Sequence, residues 1–267
     1  MTATRDEGTE FEVTARLKIR DGELEGFKQQ AAEIMRLTRE HDRKTLRYDW
    51  FLSDDGTQCE VREGYVDADG LLEHNDHVKE ARGTLFRDHA YGHDMTIYGE
   101  PSSALAELIE RMSGHVTFNR YSLLQGLGPD RPLPDGRTAT FEAIASLRIR
   151  AGRLEGFERQ AAELMRQMQQ QEAKPLRYDW FLRDDGTECE VREVYESADA
   201  LLEHQRPIAE AKLKLFREFV DGHSMSFYDE PSPALTHALE AMGTPYRRFA
   251  LFQGLDVRSE VLDEVRA

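Results

Sequence analysis

Glu63 stands two residues before Tyr65 and eleven before His74, in a stretch that also holds Tyr48 and Trp50. A carboxylate among aromatic side chains is costly to ionise unless it is hydrogen-bonded or paired, so its affinity for a proton rises toward that of a working base. An imidazole titrates near neutrality, and Glu63 with His74 would suit acid–base work on one ligand. Tyr48, Trp50, Tyr65 and His93 are the side chains expected to line a pocket for a flat molecule. The set recurs 130 positions later, with Glu193 and His204 as the acid–base pair and Tyr178, Trp180, Tyr195 and His223 as the lining. Each residue also has a plainer use. The glutamates can tie loop amides or an Arg, the helix histidines can sit at a surface or a cap, and the aromatic residues can be core.

The recurrence is a duplication. Residues 11–112 lie on residues 141–242 without a gap, and 57 of the 102 paired positions are identical. YDWFL stands at 48–52 and 178–182, DDGT at 54–57 and 184–187, LLEH at 71–74 and 201–204. Two copies are too few for a solenoid, and the expected reason for keeping two is that one buries a surface against the other, as in a symmetric homodimer. The copies differ at Gly64 and Val194, His77 and Pro207, and His89 and Phe219, so the two pockets need not be equivalent and only one of them need bind.

The elements that must carry these residues follow from periodicity. Phe11, Val13, Ala15, Leu17 and Ile19 alternate with polar residues as a strand does. Leu24, Phe27, Ala31, Ile34, Met35 and Thr38 then fall on one helical stripe. Two short strands follow, joined at Asp54-Asp55-Gly56. Taking Asp55-Gly56 as the central turn pair places Leu52 opposite Cys59, Trp50 opposite Val61, Asp49 opposite Arg62 and Tyr48 opposite Glu63. Leu46, Tyr48, Trp50, Leu52, Cys59, Val61, Glu63 and Tyr65 then share the helix-side face. The opposite, charged face is expected to meet a partner sheet, with Asp49 and Arg62 neutralising one another. A helix over 68–91 is expected to break near 75–77, as Pro207 breaks the second copy. A strand over 93–98, a short helix capped by Ser102, and a last strand over 117–125 complete the repeat. This is a β-α-β-β-α-β order with an added helix and strand, an α+β ferredoxin-like unit.

Composition narrows the partners. Lys and Arg total 35 against 51 Asp and Glu, a formal charge of −16 that opposes polyanions, so neither nucleic acid nor an anionic membrane is expected. The acidity is spread over both copies, as a solvated surface or an adaptation to high salt would be. No apolar run approaches a membrane helix, and residues 1–9 lack the apolar stretch of a signal peptide, so the expected address is cytoplasmic. Cys59 and Cys189 read as free thiols packed as small apolar residues. No metal site, phosphate-cradling loop or GxSxG elbow is evident, and no cofactor is expected.

Each copy resembles an antibiotic-biosynthesis-monooxygenase domain of the dimeric α/β-barrel superfamily. The likeness is carried by EGF at 25–27, LRYDWFLSDDGT, EVREGY and LLEH, repeated as LRYDWFLRDDGT, EVREVY and LLEH. It implies two ferredoxin-like units packed sheet to sheet as an intramolecular barrel: repeat 1 over 9–127, a linker over 128–139 and repeat 2 over 140–256. It implies a ligand pocket between sheet and helices of each unit, with Glu63 and Tyr65 at the family's acidic-then-aromatic strand end and His74 as its helix histidine; Glu193, Tyr195 and His204 are the second set. Tyr65 stands where many members have Trp, and the first strand lacks the Asn used by the haem-degrading branch. The implied activity is a cofactor-independent monooxygenase acting on a small phenolic or quinol-type compound; the alternative is a non-catalytic, ligand-binding or stress-related module. Expected partners are a small aromatic molecule and, beyond the intramolecular pseudo-dimer, further copies of the chain.

Overall fold

The computed structural model describes residues 11–127, 140–171 and 175–256, so the expected linker lies outside the described residues. In the first repeat the order is β1 (Phe11–Ile19), α1 (Leu24–His41), β2 (Thr45–Ser53), β3 (Gln58–Tyr65), α2 (Ala68–Thr84), a π-helical turn (Leu85–His89), β4 (Ala90–Tyr98), α3 (Ser103–Met112) and β5 (Thr117–Gly126). The second runs β6 (Phe141–Ile149), α4 (Leu154–Gln169), β7 (Arg177–Arg183), β8 (Glu188–Tyr195), α5 (Ala198–Gln205), α6 (Ala209–Glu218), β9 (Val220–Phe227), α7 (Pro233–Met242) and β10 (Tyr246–Asp256). The fold class is α+β, a duplicated ferredoxin-like unit.

Two compact units divide the described chain, residues 11–120 with 249–256 and residues 121–248. In the first the sheet order is β4-β1-β3-β2-β10. Tyr48 pairs with Glu63, Trp50 with Val61 and Leu52 with Cys59, the register the hairpin sequence predicts. The turn itself closes one residue earlier than expected. Gly56 N–H donates to Ser53 O at 2.9 Å, which makes Asp54-Asp55 the central pair, and Gly56 takes the left-handed φ of 66° that glycine adopts without strain.

The stripe of α1 buries Phe27, Ala31, Ile34, Met35 and Thr38 against the alternating residues of β1 and the Tyr48, Trp50, Cys59, Val61 and Tyr65 face of the hairpin. The second unit repeats this core around Phe157, Trp180 and Tyr195. Cys59 and Cys189 are free thiols, one in each core. On the opposite face Asp49 is held by Arg47, whose Nε donates at 2.6 Å, and Asp179 likewise by Arg177 at 2.7 Å.

Three elements depart from expectation. The strand after α3 does not simply complete its own repeat: residues 121–126 of β5 pair with β7, and residues 249–256 of β10 pair with β2. An alternating pattern tells which face of a strand is buried, while any open edge can accept it, so the pattern is silent on which edge it joins. The break expected near 75–77 is also absent, since α2 runs unbroken through His77. Only the second copy breaks, between α5 and α6, because Pro207 has no N–H to continue the ladder. Finally, the π-helical turn Leu85–His89 has no counterpart in the second copy, where residues 215–218 stay in α6.

Candidate functional site

His74 reaches the interior because it shares the buried stripe of α2 with Leu71, Val78 and Ala81. Asp67 caps that helix by accepting from Gly70 N–H at 3.0 Å. Asp42, just past the end of α1, turns its carboxylate toward α2, where Oδ2 lies 2.8 Å from His74 Nδ1 and Oδ1 lies 2.7 Å from His77 Nδ1. Thr45 Oγ1 donates to Oδ2 at 2.8 Å. Burial by itself raises the Asp42 carboxyl, but the hydrogen bond and charge of His74, with the bonds from His77 and Thr45, outweigh it and hold the group below its ordinary value. An ionised Asp42 makes Nδ1 of His74 the donor and leaves Nε2 as the nitrogen that takes a proton.

Glu63, His74, Tyr48, Trp50 and His93 line one hollow that encloses about 30 Å³ of free space. Burial pushes the Glu63 carboxyl up, opposed by the charge of His74, the Tyr65 hydroxyl that donates to it at 2.7 Å, and the charge of Arg82. Tyr48 packs against His74 with ring centroids 4.6 Å apart and planes tilted by 58°, and Tyr65 lies 6.0 Å from the same ring. Tyr65 thus reaches the site through Glu63 and His74, forming the back of the aromatic wall. Phe86, carried by the π-helical turn, stacks on His93 at 4.6 Å and 29°. Burial, then Arg82, lowers His93 to about 4, so it is neutral at pH 7.

The second unit assembles a related, smaller hollow that encloses about 20 Å³ of free space, lined by Tyr178, Trp180, Glu193 and His223. Glu193 is buried, raised by that burial, and accepts from the Tyr195 hydroxyl. His204 packs edge-on against Tyr178 and Tyr195, and among the described residues neither of its ring nitrogens has a hydrogen-bond partner. Burial, then Lys212, lowers both His204 and His223 to about 4. The positions matching Thr45 and His77 are Pro175 and Pro207, which offer no such donors; Glu172, matching Asp42, lies outside the described residues.

Sequence reasoning missed Asp42, Phe86 and a cation–amide pair on the helix. Arg82 donates to Asn75 in the first hollow, and Lys212 donates to Gln205 at 2.5 Å in the second. The longer cation faces the shorter amide and the shorter cation the longer amide, so the paired change between repeats was a readable signal of contact. Among the described residues no cluster of three His, Cys, Asp or Glu is placed to hold a metal ion, and no helix is long and apolar enough to cross a membrane.

The burial of Glu63 carries a stability cost that can be measured. A folded carboxyl raised above its ordinary 4.5 binds more protons than the unfolded chain between 4.5 and that raised value, so ionising it at higher pH destabilises the fold. Glu63→Gln, which keeps an acceptor for Tyr65, is expected to be more stable than the wild type at pH 7 and to gain nothing below pH 4.5. Urea melts of both proteins at the two pH values check this; equal stability at pH 7 would contradict it.

Residues 140–211 match the family model described as antibiotic biosynthesis monooxygenase. A candidate monooxygenase of Fusobacterium nucleatum is similar in structure, with TM-score 0.56 and 10% identity over 82% of this chain and 91% of that one. Another, from Lactobacillus acidophilus, has TM-score 0.53 and 12% identity over 81% and 91%. At these identities the likeness is one of fold. No curated protein matches the chain. The match to the antibiotic biosynthesis monooxygenase model thus falls on the second repeat, and the first repeat is a tandem copy of the matched residues.

Proposed function

We propose that the first-repeat hollow is the active site of a cofactor-independent monooxygenase for a small phenolic or quinol-type ring. The observation that carries this reading is a buried, proton-hungry Glu63 lining the same hollow as a histidine whose tautomer is fixed by Asp42. Glu63 takes the phenolic proton, and the resulting anion passes one electron to O2. Recombination forms a carbon–oxygen bond, His74 Nε2 relays the proton to the distal oxygen, and loss of water leaves a carbonyl. A phenol and O2 thereby yield a quinone and water: the ring supplies all four electrons that reduce O2, and the C–H proton at the oxygenated carbon leaves as the O–O bond breaks.

Oxygen uptake with a panel of phenols and quinols tests this. Glu63→Gln combined with Glu193→Gln is expected to lower the rate about 100-fold or more. Uptake that ignores the double change removes the proposed base. A second reading, binding without turnover, attaches to the second hollow, where among the described residues the ring nitrogens of His204 have no counterpart of the Asp42 bond that His74 has.

A further inference from the structure

The second hollow holds an amine that the first lacks. Lys212 lines it together with Glu193, Gln205, Phe216 and His223. Its hydrogen-bond partner is the neutral amide oxygen of Gln205 at 2.5 Å, and its ammonium position lies 5.7 Å from the Phe216 ring centroid. Among the described residues no carboxylate comes within ion-pair distance of it. A buried ammonium without a counter-ion is costly, and an amine avoids that cost by giving up its proton. Arg82 at the matching position has no such option, since a guanidinium stays charged.

We propose that Lys212 captures a small aromatic aldehyde or ketone in the second hollow as an imine, a chemistry distinct from that of the first. The walls supply the ring preference: Tyr178, Trp180 and Phe216 are aromatic, and Leu147, Leu164 and Leu215 are apolar. The neutral Nζ attacks the carbonyl carbon, the C–N bond forms, and the π pair moves to oxygen. A proton passes from nitrogen to that oxygen to give the carbinolamine. Glu193 then donates a proton to the departing hydroxyl as the nitrogen lone pair forms the C=N bond, and it recovers one from nitrogen. Amine and carbonyl give imine and water, with no oxidant or reductant. Burial favours both protonation states the step requires, lowering Lys212 and raising Glu193.

Incubating the full chain at pH 7 with 4-hydroxybenzaldehyde and sodium cyanoborohydride, then mapping adducts by peptide mass spectrometry, tests the proposal. Lys212 is expected to be alkylated about tenfold faster than the exposed Lys214, which serves as an internal control two residues away. Lys212→Arg, which installs the residue of the first repeat, should abolish that adduct and leave the one at Lys214. Glu193→Gln should slow it. Labelling of Lys214 with Lys212 unmodified would overturn the proposal, and so would an undiminished fast adduct in Lys212→Arg. Oxygen uptake in the first hollow plays no part in this readout, so the two functional readings stand or fall separately.

Discussion

A chain cut after residue 244 is expected to lose cooperative unfolding altogether, although it keeps every residue of both hollows. Strand β10 belongs to both sheets. Residues 246–248 pair with 225–227 of β9, and residues 249–256 pair with β2. The cut therefore opens an edge in each unit, and an open hydrophobic edge leads to aggregation. It also takes Phe249 and Leu255, which are 0% and 5% exposed, and Phe252, whose ring meets Trp50 edge-on at 6.2 Å. Trp50 in turn packs against Phe27 and Tyr48, so the loss reaches the wall of the first hollow. A point change separates packing from pairing: Phe249→Ala in the full chain keeps the ladder and should cost roughly 3–5 kcal/mol. Thermal melts followed by near-ultraviolet circular dichroism read both. A truncated chain with the melting temperature of the intact protein would refute the shared role of β10.

That shared role also shows where a sequence reading stops. The register of β2 and β3 was legible because the turn residues fix the offset and the pleat then assigns every side chain to a face, which put Tyr48, Trp50 and Glu63 together before any coordinates. The inward direction of His74 was legible in the same way, from its place between Leu71 and Val78 on one stripe. Asp42 was not. It follows the last turn of a helix, where a polar residue needs no special reason, and its value comes from facing α2, 32 residues later, a contact no local period encodes. The strand joined by β5 or β10 is likewise a choice among edges that share one pattern. The π-helical turn widens the end of a helix without adding a residue relative to the second copy, so the apolar periodicity passes over it. What could have been read, and was not, is the exchange of Arg82 and Asn75 for Lys212 and Gln205, two changes that compensate one another in length.

Acid should weaken the fold well above the ordinary range of carboxylate titration, and three histidines account for it. His93, His204 and His223 are each lowered from 6.5 to about 4, by burial first and then by Arg82 for His93 and by Lys212 for the other two. Between pH 6.5 and 4 the unfolded chain therefore binds more protons than the folded one. The contribution of these rings to stability is complete above about pH 6.5 and is lost as the pH falls to about 4. Shifts of this size carry up to roughly 3 kcal/mol for each ring. Two carboxyls act in the opposite sense, since Glu63 and Glu193 take up protons in the folded state as the pH falls. Asp42, held low, defends the fold until the pH drops below its ordinary 3.8. The histidine part is isolated by comparing the wild-type chain with His93→Gln and His223→Gln. Each variant should match it or fall below it at pH 7 and gain on it steadily down to pH 4, in urea midpoints at fixed ionic strength. Parallel curves across that window would mean that these rings carry their protons into the folded state and that the hollows hold charged histidines.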